Sequence, residues 1–173
     1  CDFNQTKAAT LAVAEHQGPV YLRFGRPSVP NFTTEDLGFE IGKGILLQPG
    51  TDVTLVATGH LVWEALEAAK ELATEGIAAE VINLHTIKPL DDEIILNSVQ
   101  KTGCLVSAEE HNYLGGMGES IARLLSTKNP CPMEFVATQD TFGESGTPAQ
   151  LMEKYGLNKN AIVQKVHALR KRI

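Results

Sequence analysis

The chain has 173 residues, 43% of them hydrophobic and 21% charged, with a formal net charge of −6. That length suits one compact domain with part of a second, and ordinary Gly, Pro and Cys contents exclude collagen-like, disordered and disulfide-framework classes. The acidic balance argues against nucleic-acid binding, which needs a basic face to displace counterions, and no apolar run approaches the roughly 20 residues that span a membrane.

In chain order, Ala8, Ala9, Leu11, Ala12 and Val13 form the apolar face of a first helix. Gly18-Pro19 ends it, because proline cannot continue the hydrogen-bond ladder. Val20-Tyr21-Leu22-Arg23-Phe24 is β-branched and aromatic and predicts a strand. Pro27 to Pro49 is punctuated by proline and glycine and reads as a linker, with a short strand possible over Gly44 to Leu47. Val53 to Ala57 predicts a buried strand, and Leu61 to Thr74 a helix closed by Gly76. Ala79 to Leu84 is the next strand. Pro89 and Asp91 announce a helix whose first turn carries Asp92 and Glu93, where the helix dipole favours negative charge. After Gly103, Cys104 to Ala108 predicts a strand. Gly115-Gly116-Met117-Gly118 then opens a helix over Glu119 to Ser126. Met133 to Ala137 is the last strand, followed by helices over Ala149 to Tyr155, with Pro148 at its first position, and over Ala161 to Leu169. Alternating strands and helices predict an α/β fold: an open doubly wound, mainly parallel sheet with helices on both faces.

Cys1, Cys104 and Cys131 are an odd number with no Cys-x-x-Cys spacing, which suits reduced thiols in a cytoplasmic setting. A chain that begins with Cys and lacks a charged-then-apolar leader reads as a piece of something longer, or as a trimmed chain.

Four groups of residues carry candidate chemistry. The glycines at 115, 116 and 118 lead into a helix and suit an anion at its N-terminus. Ile121 stands where a dinucleotide fingerprint needs Gly or Ala, so close packing of helix on sheet is the favoured reading. Glu109-Glu110-His111 lies past a strand's carboxyl end, where open α/β sheets place ligands. Two adjacent carboxylates point apart, however, so only one can join His111. Arg23 and Arg26 flank a strand end and suit an anion held bidentately. His60, His85 and His167 have no metal-ligand partner at useful spacing, so no metal site is predicted. Phe142-Gly143-Glu144-Ser145-Gly146-Thr147 is a turn-rich helix-start device.

Four segments, in order and at sensible spacing, resemble the C-terminal third of the transketolase family of thiamine-diphosphate enzymes. They are Gly18-Pro19-Val20-Tyr21-Leu22-Arg23 with Arg26; Leu55-Val56-Ala57-Thr58-Gly59; Leu84-His85-Thr86-Ile87-Lys88-Pro89-Leu90-Asp91; and Glu109-Glu110-His111 followed by Gly115-Gly116-Met117-Gly118. Deoxyxylulose-phosphate synthase and the beta subunits of 2-oxoacid dehydrogenases share this domain. Phe142 to Gly146 with Tyr155-Gly156-Leu157 looks most like transketolase proper.

The resemblance implies residues 1–30 as the last helix and strand of a pyrimidine-binding domain, 31–48 as a linker and 49–173 as the C-terminal domain. It implies ketol transfer between sugar phosphates in the pentose phosphate pathway, carried by thiamine diphosphate and Mg²⁺ in the complete enzyme. This piece would be inactive alone, hold no cofactor and carry no catalytic residue. It would support a homodimer and pair with the remaining domains or subunit. Arg26 matches the position where the family binds the substrate phosphate, with Arg23 as its neighbour. His60 departs from the family's small serine-like residue. From another class, a stand-alone assembly module or a nucleotide or anion binder using the Gly115 turn remains as the alternative.

Overall fold

A computed structural model describes residues 1–173. Helix α1 (Phe3–Glu15) precedes a long irregular stretch and strand β1 (Ile45–Gln48). The regular part follows as β2 (Val53–Ala57), α2 (Leu61–Thr74), β3 (Ala79–Asn83), α3 (Asp92–Thr102), β4 (Leu105–Asn112), α4 (Met117–Lys128) and β5 (Met133–Thr138). Helices α5 (Pro148–Lys154) and α6 (Lys159–Arg170) close the chain. The strands form one sheet in the order β1-β3-β2-β4-β5. All neighbours are parallel except β1, which runs antiparallel to β3 with Ile45 opposite Asn83. The expected doubly wound α/β architecture is therefore present, with the short Gly44–Leu47 strand realised as an edge. No helix is long and apolar enough to cross a membrane.

Every residue of β2 and β3 is buried, as central strands covered on both faces require. Alternate side chains feed two cores. Val53, Leu55 and Ala57 join Ala65, Ala69 and Leu72 of α2 and Ile162, Val166 and Leu169 of α6. Val56 and Ile82 face the other way, onto Ile95 and Val99 of α3 and Ile121 and Leu125 of α4. Each fully buried Leu or Ile adds about 1.5–3 kcal/mol of burial free energy. Within this second layer the Thr54 hydroxyl lies 2.6 Å from Ser98 Oγ and 2.7 Å from Thr102 Oγ1, so the polar atoms buried under α3 satisfy one another.

Local chemistry sets the ends of the elements. Asp91 caps α3 by accepting from Ile94 N–H, and its other oxygen accepts from Gly44 N–H at 2.9 Å, tying the approach to β1 onto that helix. Gly103 ends α3 at φ 74°, a left-handed conformation that glycine adopts without a Cβ penalty. Thr147 and Gln150 form a reciprocal capping box at α5.

One expected element is absent. Residues Val20 to Phe24 form no strand, and no backbone group from 17 to 31 enters a backbone–backbone hydrogen bond. A strand exists only with a neighbour to pair with, and the sheet's five positions are filled by other segments. The side chains lie outside, with Tyr21 87% and Phe24 66% exposed. Helix α1 is held instead by Asp2, which caps it through Gln5 N–H and accepts from Phe32 N–H, Thr33 N–H and the Thr33 hydroxyl at 2.7–2.9 Å. Burial alone would raise the Asp2 pKa, but these four donors together hold it below the usual carboxylate value.

Candidate functional site

The connection after β2 leads to β3 on one side, while β4 lies on the other, so the sheet's switch point falls between β2 and β4. Open α/β sheets bind ligands in the crevice outside the strand ends at such a point. Thr58-Gly59-His60 leaves β2 there, and Glu109-Glu110 lies near the end of β4.

The two adjacent glutamates do separate, and each takes a partner other than His111. Glu109 is 3% exposed and turns inward, its two oxygens accepting from Met117 N–H at 2.7 Å and Gly118 N–H at 2.8 Å. Those are first-turn amides of α4, whose N-cap residue, Gly116, offers no side chain. The helix N-terminus that suited an external anion is thus filled by the protein's own carboxylate. The glycines make room for it: a Cβ on Gly116 would sit 2.6 Å from the Glu109 oxygens, and one on Gly118 would sit 2.6 Å from Ser107 Oγ and 2.7 Å from the Phe135 ring. Close packing of helix on sheet is the role these glycines play.

Glu110 turns outward to His60, with Oε2 3.3 Å from Nδ1. Arg23 reaches the same place and donates to the Glu110 carbonyl oxygen at 3.4 Å. Gly25 lies close against the His60 imidazole, where a Cβ would sit 2.3 Å from Nε2. His111 remains exposed beside its own neighbour Asn112, and His167 pairs with Glu75 at 3.1 Å on the far helices. Sequence reading missed the His60–Glu110 contact, because the two residues meet only through the pairing of β2 with β4.

Residues 22–29 and the start of α1 roof a cavity of about 390 Å³ over the carboxyl ends of β2 and β3. Its lining includes Arg23, Arg26, His60 and His85. Asp2 is the sole carboxylate on that lining, and it is committed to its four donors. Against a net charge of −6 for the chain, the cavity is locally cationic. Arg26 is exposed at its rim. His85 stacks on Phe39 at a centroid distance of 4.2 Å, and burial pushes its pKa down to about 4. Cys104 and Cys131 have thiol pKa values raised by burial, which makes them poor nucleophiles.

Comparison with known proteins gives a consistent picture. The family model described as "Transketolase, C-terminal domain" matches residues 42–162. The 6-deoxy-6-sulfo-D-fructose transketolase subunit SqwH of Clostridium sp. (strain MSTE9) is 44% identical over 171 residues, covering 99% of this chain and 53% of that protein. An apulose-4-phosphate transketolase subunit of Phocaeicola vulgatus is 35% identical, covering 94% and 52%. The 1-deoxy-D-xylulose-5-phosphate synthase of Heliobacterium modesticaldum is also 35% identical, but only 26% of it is covered. A solved structure described as "Split gene transketolase, inactive beta4 tetramer" superposes with a TM-score of 0.94 at 46% identity, over 98% of this chain and 55% of that one. The chain spans about half the length of the transketolase relatives it matches.

Proposed function

The chain belongs to the transketolase family through its C-terminal domain, and from that premise we propose that it is the C-terminal portion of an enzyme transferring a two-carbon ketol unit between sugar phosphates. The observation that carries the reading is the cationic rim at the sheet's carboxyl end, where Arg26 stands exposed and no free carboxylate competes for an anion. A guanidinium there grips the substrate phosphate bidentately, away from the reacting carbon, and so orients the sugar. Arg23 seconds it while steadying the loop against Glu110.

Residues 1–30 belong, in this reading, to the pyrimidine-binding domain, 31–48 to the linker and 49–173 to the C-terminal domain. Residues 20–24 take up their strand only beside the strands of the companion portion. That portion comes from the same polypeptide or from a separate subunit, as the names of the relatives suggest, and the assembled enzyme is a dimer.

Thiamine diphosphate and Mg²⁺ act in the complete enzyme. This chain brings together no three His, Cys, Asp or Glu side chains able to hold a metal ion, so its residues do not fit the Mg²⁺ of that group. We assign that group's ligands to the companion portion, and the chain alone is inactive.

The test is ketol transfer from xylulose 5-phosphate to ribose 5-phosphate with thiamine diphosphate and Mg²⁺, on the chain alone and then with its upstream portion. Silence alone and activity together are expected. Relatives named for a sulfonated fructose and for apulose 4-phosphate make those sugars a second arm. Activity only with pyruvate as donor would overturn the reading in favour of the synthase branch. In the active assembly, Arg26→Ala raises KM for sugar phosphates about tenfold or more and leaves folding intact, since one exposed arginine rarely carries stability. An unchanged KM refutes the phosphate role.

A further inference from the structure

Residues 17–30 hold to the rest of the chain at few points. They enter no backbone–backbone hydrogen bond and no ion pair, and none of them joins either apolar core. All of them except Val29 are exposed. One hydrogen bond leads out of the segment, from the Arg23 guanidinium to the Glu110 carbonyl oxygen. The His60 ring abuts its backbone, and the three atoms nearest to a Cβ built on Gly25 all belong to that ring. The ring is faced in turn by the Glu110 carboxylate at 3.3 Å, and its side chain is only 15% exposed. Both contacts therefore lead to one pair of residues, and Arg26 follows Gly25 directly.

That pair stands on the rigid part of the fold. His60 immediately precedes Leu61 and Val62 of α2, which have no exposure at all. Glu110 belongs to β4, whose pairing with β2 sets Ala57 opposite Ala108. The segment above has no regular structure of its own, so its geometry is borrowed from these two supports. The His60 side chain makes no capping bond to α2, and its position at the helix start does not explain its orientation towards Gly25 and Glu110.

We propose that His60 and Glu110 are positioning residues, which anchor residues 22–26 and so fix the Arg26 guanidinium at the rim of the cavity. The anchor itself is independent of what Arg26 binds; its consequence for turnover rests on the phosphate role given above. A loosened segment keeps the guanidinium in place for only part of the time. Apparent affinity then falls by the fraction of time lost, while the step at the reacting carbon is untouched.

Trypsin reads the anchor in the full chain, because it cuts after Arg23 but not between Arg26 and Pro27. His60→Ala should speed cleavage after Arg23 about fivefold and leave cutting at other sites unchanged. Glu110→Ala should act in the same direction, and Glu110→Gln, which keeps an oxygen towards His60, should restore the parent rate. Gly25 has no positive φ, so Gly25→Ala brings no backbone strain and acts through the ring. It should speed cleavage in the parent and add nothing to His60→Ala, where the ring that it would strike is gone. In the assembled enzyme, His60→Ala should raise KM for ribose 5-phosphate about three- to fivefold at unchanged kcat, short of the roughly tenfold expected for loss of Arg26 itself. Unchanged cleavage in His60→Ala and Glu110→Ala, or additive effects of His60→Ala and Gly25→Ala, overturns the anchor. Faster cleavage with an unchanged KM upholds the anchor and refutes the phosphate role of Arg26 instead.

Discussion

Replacing Glu109 by alanine removes the carboxylate that caps α4 from inside the sheet. Two hydrogen bonds to a charged acceptor are lost, at 2.7 and 2.8 Å, each worth about 1.5–3 kcal/mol. The Met117 and Gly118 amides are buried with their residues, and Gly116 supplies no substitute cap. Water that enters the vacated space recovers part of the loss, so about 3–4 kcal/mol is expected. For a chain of this size that lowers Tm by roughly 6–16 °C. Glu109→Gln keeps one acceptor and turns an NH₂ group against a backbone N–H, for about 2 kcal/mol. Urea unfolding followed by Trp63 fluorescence and circular dichroism reads the effect as a lower midpoint at constant slope. Glu110→Ala is the control: its carboxylate is half exposed and pairs with His60, so less than about 1 kcal/mol is expected. A Glu109→Ala variant within about 0.5 kcal/mol of the parent, or no weaker than Glu110→Ala, would refute the internal cap.

Other consequences can be checked in the same way. Gly118→Ala forces a methyl group against Ser107 Oγ and the Phe135 ring, and should destabilise by about 1–3 kcal/mol through overpacking; an unchanged midpoint would mean that α4 shifts freely on the sheet. The His85 pKa is lowered from 6.5 to about 4 by burial, so the unfolded chain binds the extra proton first as pH falls. Stability from this group is therefore complete above about pH 6.5 and declines from there towards pH 4. That acid limb should be reduced in His85→Phe, and an NMR titration placing the His85 midpoint at 6.5 or above would contradict it.

Much of the fold is legible because its signals are local. Asp91, the acidic first turn and Gly103 bracket α3 to within a residue, and the alanine-rich face of α2 gives its bounds as observed. Signals that depend on a partner distant in the chain were not legible. Glu109 looks like half of an acid–base pair until β4 and α4 fold against each other and bring it onto the amides of Met117 and Gly118. His60 looks solitary until β2 pairs with β4. The strand composition of residues 20–24 describes a preference that only a neighbouring strand can satisfy. Asp2 did carry a local signal, an acid just ahead of a helix start, but its grip on Thr33 is a long-range contact.

The unpaired stretch from Val20 to Phe24 also bears on colloidal behaviour. Strand-prone residues with open amides and carbonyls are a template on which further chains can stack edge to edge. What interrupts the template is its flanks: Pro19 and Pro27 cannot donate to a ladder, and Arg23 and Arg26 would bring like charges together in any stacked copy. The same two arginines that line the cavity thus act as gatekeepers against accretion of the exposed segment.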